Sequence, residues 1–263
     1  MPRWTDIAQN TAHRPWPLPD SPWLMTMSWV NLLAAHWPVS PELLADHIPA
    51  GLRLDTWEGD AWISVVPFEM DNVAPRGLTW WPKQMRFPEL NVRTYVTADG
   101  EKPGVWFFNL EAASRLAVWG ARKFFHLPYF RAEMSAELDG EEISYSSRRI
   151  HDGAPPAEFV ATYAPTGSAR QGDVGTFEHW IMERYCLYAA RDSTLFRCDV
   201  QHEPWPLRPA QVQIETNTLF EALQLDVSSR PASAHYANAI DVVGWGLERI
   251  YTHRQSSTSS VSK

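Results

Sequence analysis

The 263-residue chain is short of positive charge. It has 23 lysines and arginines against 31 aspartates and glutamates, a net charge of −8. Binding to nucleic-acid phosphates requires a concentrated basic patch. We therefore expect no nucleic-acid partner. The pairs Arg122–Lys123 and Arg148–Arg149 are interpreted as solvated surface.

Long apolar runs and a targeting segment are also missing. No run approaches the roughly 18 apolar residues of a membrane-spanning helix. The N-terminal MPRWTDIAQNTAHRP has no apolar core of the kind found in signal peptides. The only two cysteines, Cys186 and Cys198, are interpreted as reduced, partly buried thiols, because a directly opposed cross-strand disulfide would be strained. We expect a cytoplasmic protein with no membrane partner.

The common catalytic motifs are absent as well. The sequence contains no H-E-x-x-H, no G-x-S-x-G, no G-x-G-x-x-G and no lysine-bearing phosphate loop. His179 and Glu183 are four residues apart on a predicted helix and share a face, but no third ligand has suitable spacing. We therefore expect neither a metal nor a cofactor.

Proline and tryptophan are abundant, with 21 and 14 residues respectively. Proline breaks helix interiors, and tryptophan favours strands and ligand walls. All-β barrels of about 200–250 residues often form one domain. We predict a mainly β fold: an extended N-terminal arm over residues 1–21, a single barrel domain over 22–252 and a mobile polar tail over 253–263.

Local patterns place the elements within this domain. Strands are predicted over 23–36, 52–57, 61–69, 87–96 and 105–110, and the second and third of these are expected to form a hairpin. Helices are predicted near 40–47, 112–125 and 177–182. Gly120, inside the second helix, predicts close packing against a neighbouring element. The two cysteines are expected on a hairpin centred on Asp192.

One strand has a polar face of particular interest. Glu89, Asn91 and Arg93 alternate with Leu90 and Val92, so the polar and apolar groups occupy opposite faces. An ordinary surface strand explains the pattern equally well. If the strand closes a barrel, however, the polar face points into the lumen, where buried charges need a partner or a ligand.

Several longer stretches carry a resemblance to a known family. FPELNVRTYV, GVWFFNLEAAS, ARKFFHLPYF, FEHWIMERYCLY and HEPWPLR together resemble the YqjF-like bacterial family of unknown function, over roughly residues 22–252. That family belongs to a broader grouping similar to acetoacetate decarboxylase. The resemblance implies a closed, conical, antiparallel β-barrel with a central cavity and a few short helices. It carries over no established activity for the YqjF-like family.

The decarboxylase comparison also implies which residues are missing and which are kept. The decarboxylase uses a lumenal lysine as a Schiff-base nucleophile, and the matching position after Pro128 is Tyr129. Lys123 lies on the preceding helix and is not expected to replace that lysine. Decarboxylation of acetoacetate itself is therefore not expected. Two carboxylates of the decarboxylase pattern match Glu69 and Glu89.

These observations give a hypothesis for the site. Glu69, Glu89 and Tyr129 are the candidate catalytic residues, and Asn91 and Arg93 the candidate substrate-binding residues. Two adjacent carboxylates would raise one pKa, Arg93 would clamp a carboxylate, and Tyr129 would donate to an oxyanion.

Two functions remain open at this point. One is an enzyme that acts on small organic acids or carbonyl compounds without a Schiff base. The other is a non-catalytic binding protein for a small apolar or aromatic ligand. A homo-oligomer is compatible with both.

Overall fold

The computed structural model describes residues 2–78, 86–98 and 100–250. The fold is mainly β, as predicted. Over these residues, four short α-helices and a 3₁₀ turn at Glu221–Leu223 accompany twelve strands. The helices are α1 (Pro2–Gln9), α2 (Pro41–Ala45), α3 (Arg115–Phe124) and α4 (Phe177–Met182). The strands are β1 (Met25–Val39), β2 (Leu52–Leu54), β3 (Ala61–Pro75), β4 (Phe87–Ala98), β5 (Glu101–Ala112), β6 (Tyr129–Asp139), β7 (Glu142–Arg149), β8 (Glu158–Pro165), β9 (Cys186–Arg191), β10 (Thr194–His202), β11 (Arg208–Asn217) and β12 (Ser233–Ile250).

The strand pairings form two rings that share a wall. The shared wall is β12–β1–β3–β4–β5, and β9 and β10 join β5 back to β12 to complete the first ring. The second ring returns from β5 to β12 through β6, β7, β8 and β11. The expected antiparallel arrangement has two exceptions, because β5 pairs in parallel with both β6 and β9. The connection that carries α3 brings the chain back so that β6 runs in the same direction as β5, as parallel pairing requires.

Hydrophobic cores lie on both sides of the shared wall. On β4, Leu90 and Val92 pack into the core of the second ring, whereas Phe87 and Tyr95 pack into the core of the first ring. The predicted alternation of this strand is confirmed. Because both faces are covered, β4 is not an ordinary surface strand with a solvated polar face.

The N-terminal arm differs from its prediction. Residues 2–9 form α1, although an extended arm was expected. Proline at a helix start costs no hydrogen bond, and Ile7 buries its side chain against Val243 and Trp245 of β12. Burial of an apolar face stabilises short helices more than propensity does. The predicted tail over 253–263 lies outside the described residues.

The predicted hairpin between 52–57 and 61–69 is wrong. Strand β2 pairs with the end of β4, with Leu54 opposite Val96, rather than with β3. The tight turn itself does form, since Trp57 and Asp60 make an isolated bridge around Gly59. Only the turn is local, and the strand pairing beyond it is decided by long-range packing.

The predicted helix over 112–125 begins three residues late. β5 continues to Ala112, and the Ser114 hydroxyl accepts a hydrogen bond from the backbone N–H of Ala117 to cap α3. The close packing expected at Gly120 is also wrong, because no other element in the described part of the chain comes within 4 Å of the position that a Cβ would occupy.

The cysteine hairpin is confirmed. Asp192 adopts a positive φ of 55° in the turn between β9 and β10, as a tight hairpin requires. Cys186 lies opposite Asp199 and Cys198 opposite Leu187, so the cysteines are offset by one position. Both thiols are buried and free, as expected. Within the described part of the chain, no helix has the length and apolarity needed to cross a bilayer.

Candidate functional site

A cavity of about 320 Å³ lies inside the first ring and under α3. Small-molecule sites typically measure about 300–1,000 Å³, so the space suits a compact ligand. Its walls are mostly apolar, and they include Met27, Trp29, Phe68, Phe107, Leu110 and Trp205. The Trp29 and Trp205 rings stack at 5.7 Å between centroids, which gives one wall a flat aromatic surface.

Four of the five predicted site residues line this cavity. Glu89, Asn91 and Arg93 reach it from successive inward positions of β4, and Tyr129 reaches it from the first position of β6. All four are buried. Tyr129 is held where its strand meets β5, and the Arg122 guanidinium donates to its backbone carbonyl at 2.7 Å.

Glu89 and Tyr129 form a neutral pair. The Tyr129 hydroxyl donates to Oε1 of Glu89 at 2.8 Å. Burial raises the pKa of Glu89 to about 8, and the hydrogen bond from Tyr129 offsets only part of that effect. Burial also raises the pKa of Tyr129 well above its usual range. At neutral pH the carboxyl is therefore mostly protonated and can donate a hydrogen bond.

Arg93 lies in the same cavity, and its hydrogen bonds are few and long. Its Nε donates to the Tyr95 hydroxyl at 3.4 Å, and its Nη2 is 3.8 Å from the sulfur of Met182. Among the described residues, no carboxylate forms an ion pair with it. The side-chain oxygen of neighbouring Asn91 is buried with no hydrogen-bond partner in the described residues. An acceptor without a partner and a cation without a carboxylate thus lie side by side in the cavity wall.

The fifth predicted residue, Glu69, is not part of this arrangement. On β3, Phe68 and Met70 line the cavity, and Glu69 lies on the opposite face. Its carboxylate accepts hydrogen bonds from Asn31 at 3.0 Å and from Arg86 at 2.8 and 2.5 Å. The predicted pair of adjacent carboxylates is therefore wrong. Because both faces of β3 are buried, its apolar run carries no alternation that indicates which way Glu69 points.

Arg184 is a cavity residue that the sequence analysis missed. Its Nη1 donates to Asp55 at 2.5 Å, while its Nε and Nη2 are buried with no partner in the described residues. Its guanidinium lies 5.0 Å from the centre of the Tyr95 ring, and that of Arg93 lies 5.7 Å from it. Two cations and one carboxylate leave this end of the cavity positively charged. No motif marks Arg184, because its direction depends on how the chain leaves α4.

A buried polar chain fixes the Tyr95 hydroxyl between these arginines. That hydroxyl lies 2.6 Å from Ser64 Oγ, which lies 2.7 Å from Nδ1 of His36. The other nitrogen of His36 lies 3.1 Å from His235. Burial, with the nearby His235 and Arg93, holds the pKa of His36 well below its usual range. The neutral histidine therefore anchors Tyr95 without adding charge.

The His179–Glu183 pair does not form a metal site in the described part of the chain. No group of three or more histidine, cysteine, aspartate or glutamate side chains is arranged there to hold a metal ion. Glu183 instead accepts hydrogen bonds from the backbone of Trp205, at 2.9 Å, and from the Tyr185 hydroxyl. These contacts secure the Trp205 wall of the cavity.

Comparison with solved structures shows which proteins share this fold. The chain is similar to the enduracididine biosynthesis enzyme MppR, which was solved in complex with the condensation product of pyruvate and imidazole 4-carboxaldehyde. The TM-score is 0.61 at 11% identity, and the match covers 87% of this chain and 90% of that one. It is also similar to acetoacetate decarboxylase from Legionella pneumophila, with a TM-score of 0.59, 13% identity and coverage of 93% and 95%. At such low identity the likeness concerns the fold alone.

Sequence comparison places the family. The chain is 42% identical to the uncharacterized protein YqjF of Bacillus subtilis over 232 residues, which are 88% of this chain and 95% of that protein. A family model described as "Uncharacterized conserved protein" matches residues 26–241. The matched region contains the polar row of β4 (Glu89, Asn91 and Arg93) together with Tyr129 and Arg184. The chain therefore belongs to the DUF2071 family.

Proposed function

We propose that the first ring is a closed barrel on the acetoacetate decarboxylase-like plan, and that its lumen binds a small, largely apolar organic acid or carbonyl compound. One observation carries this proposal: Arg93 is buried in an apolar cavity with no carboxylate partner in the described residues. The two free, buried cysteines support a reducing, cytoplasmic compartment.

The electrostatics favour an anionic or strongly polar oxygen on the ligand. A buried charge is costly unless an opposite charge or a ligand compensates it. A carboxylate can accept two parallel hydrogen bonds from one guanidinium. The unpartnered nitrogens of Arg184 are further donors at the same end of the cavity. The ligand's apolar body would lie against the Trp29–Trp205 wall.

The Glu89–Tyr129 pair supports acid–base chemistry at the other end of the β4 row. A carboxyl group that is protonated at neutral pH can donate its proton to a substrate carbonyl oxygen as charge develops there. Tyr129 would be the positioning residue, because its hydroxyl holds one oxygen of Glu89 and leaves the other to the substrate. Schiff-base chemistry is not proposed, since Lys123 is exposed and its ammonium lies over the Trp119 ring.

A binding protein without catalysis is the second candidate. It is favoured by the lining, in which flexible methionines such as Met25, Met27, Met70 and Met182 can adapt to different apolar shapes. Both candidates need Arg93 for the anionic end of the ligand, and they differ only in the need for Glu89.

Titration with an aromatic keto acid such as phenylpyruvate, and with its methyl ester, tests the proposal by calorimetry. We expect the acid to bind more tightly than the ester, and we expect Arg93→Met to remove that preference, a loss of about tenfold or more in affinity for the acid. Arg53→Met, at an exposed position of β2, is the matched control. Equal binding of acid and ester to the wild-type protein contradicts the carboxylate assignment.

Turnover of the same compounds, followed by NMR, separates the two candidates. If Glu89→Gln keeps the affinity but removes turnover, the protein is an enzyme. If saturable binding occurs without turnover of any compound, it is a binding protein. Borohydride reduction in the presence of the keto acid is expected to leave no covalent adduct on any lysine, and an adduct would refute the non-covalent mechanism.

A further inference from the structure

Helix α3 exposes apolar side chains that a folded protein normally buries. Leu116, Trp119 and Phe124 are 53%, 53% and 58% exposed. Positions three, four, seven and eight apart share one side of a helix, so the three side chains form one patch. The Trp119 and Phe124 rings contact each other edge to face at 5.6 Å. This apolar patch of α3 is a cluster, whereas surface apolar residues that need no explanation are scattered singly.

The segment around this patch is basic, although the protein is acidic. Residues 112–132 contain Arg115, Arg122, Lys123 and Arg131 and no aspartate or glutamate. The segment therefore carries four positive charges, and the rest of the chain, which has a total of −8, carries −12. The Lys123 ammonium lies 4.9 Å from the centre of the Trp119 ring, so cation and aromatic ring occupy the same place on the surface.

The patch is continuous with the wall of the cavity. Leu116 and Phe124, which are exposed on the outside, also line the cavity, together with Ala117, Gly120 and Ala121 of the same helix. The small residues leave space between α3 and the sheet, as the open surroundings of Gly120 show. An apolar molecule could pass from the outer patch into the cavity without crossing a polar rim at this helix.

We propose that α3 is a docking surface for an anionic lipid bilayer, with Trp119 and Phe124 inserted at the headgroup boundary and Arg115 and Lys123 against lipid phosphates. A short helix with aromatic and aliphatic side chains beside lysine and arginine has the composition of helices that lie in the membrane interface. The proposal revises the expectation of no membrane partner, which rested on the lack of a spanning run, because lying on a bilayer requires no such run. The inference stands apart from the identity of the cavity ligand.

Other occupants fit less well. A second copy docked through the same patch would bring two basic segments together, and like charges at an interface repel. A stable protein interface buries about 800 Å² on each partner, more than three half-exposed side chains on a ten-residue helix provide. A lipid surface needs only a few inserted side chains and a few basic contacts to the headgroups.

Flotation of the full-length protein with vesicles tests the proposal. The vesicles are pure phosphatidylcholine, or phosphatidylcholine with about 30% phosphatidylglycerol. We expect binding to the anionic vesicles that weakens in high salt, because exposed charges are screened. Trp119→Ser and the double variant Arg115→Glu/Lys123→Glu should each lower the partition coefficient by about tenfold or more.

Matched controls come from exposed residues elsewhere. Val174→Ser, at an apolar side chain that is 87% exposed, and Arg170→Glu, at another exposed cation, should float like the wild-type protein. Circular dichroism checks that each variant is folded. Failure of the wild-type protein to float, unchanged flotation of Trp119→Ser, or a dimer that dissociates on the Trp119→Ser change would each overturn the proposal.

Discussion

Two buried arginines, Arg14 near the N-terminus and Arg93 in the cavity, differ in how their charges are compensated. Arg14 ties the N-terminal arm to β10, where its two Nη atoms donate to the Asp199 carboxylate at 2.7 Å, to Gln201 at 3.0 Å and to two backbone carbonyls. Arg93 has one long hydrogen bond to a hydroxyl and a contact to a sulfur. Among the described residues, a carboxylate compensates the charge of Arg14, and none compensates that of Arg93.

This difference separates polar groups that stabilise the fold from polar groups that we propose bind a ligand. Buried polar groups in folded proteins are nearly all hydrogen-bonded, so a carboxylate built against Arg14 needs no functional explanation. An uncompensated cation beside an unpartnered Asn91 oxygen does need one. The contrast predicts that the two arginines respond differently to the same substitution.

Arg14→Met is expected to give the largest loss of stability. The free energy of unfolding should fall by about 3 kcal/mol, because removing one partner of a buried ion pair strands the other charge. Arg197, 2.9 Å from the second oxygen of Asp199, limits the loss. Urea denaturation at neutral pH measures it.

Arg93→Met is the matched comparison. It strands no carboxylate and places an apolar side chain in an apolar cavity, so stability should change by less than about 1 kcal/mol in either direction. If the two variants lose equal stability, the charge of Arg93 is compensated within the fold, and the proposal that the cavity binds an anion loses its support.

Glu89 provides the acidic counterpart to these buried arginines, because its burial makes the stability of the fold depend on pH. Its folded pKa of about 8 lies above the ordinary value of a glutamate, so the unfolded state loses its proton at lower pH than the folded state does. Below the ordinary pKa the carboxyl is protonated in both states, so it does not lower the free energy of unfolding. As pH rises from there toward 8, ionisation favours the unfolded state and stability falls, and above about 8 the cost is constant.

Glu89→Gln should therefore stabilise the protein at pH 7 by roughly 2–4 kcal/mol and flatten the stability profile between about pH 5 and 8. The glutamine oxygen can still accept the hydrogen bond from Tyr129. Denaturation midpoints across that pH range measure the effect. Glu69→Gln serves as the control, because that carboxylate is already paired with Arg86 and its replacement should give no gain. A Glu89→Gln variant with an unchanged pH profile would show that Glu89 ionises normally.

The polar row of β4 could be predicted from sequence because its alternation is regular. Leu90 and Val92 mark one face, and the residues between them must take the other face whatever the strand packs against. The same reasoning fails for Glu69, since the run from Val65 to Met70 has apolar residues at both odd and even positions, and so on both faces of the strand. A side chain on a strand buried on both faces has no local signal for its direction.

Other features depended on contacts that no local pattern records. β2 pairs with β4 across more than forty residues of chain, so its turn sequence predicted the wrong partner. α1 depends on the burial of Ile7 against β12. Arg184 reaches the cavity because the residue after α4, Glu183, leaves the helical conformation at φ −81° and ψ 71°. The sequence pattern therefore indicated the β4 residues of the site, and only the tertiary packing added Arg184.

The smallest expected effect concerns the exposed partner of Glu69. Arg86 is 45% exposed and forms its ion pair at the edge of the fold, where water competes for both charges. The hydrogen bond to Glu69 raises the pKa of Arg86, but screened surface pairs contribute only about 0–1 kcal/mol. A double-mutant cycle of Arg86→Gln and Glu69→Gln should give a coupling energy below about 1 kcal/mol that shrinks in high salt. A coupling energy of several kcal/mol that does not decrease in high salt would contradict this prediction. It would mean that Glu69 is held as tightly as Asp199, and that the two faces of β3 differ less in how their charges are compensated than we infer.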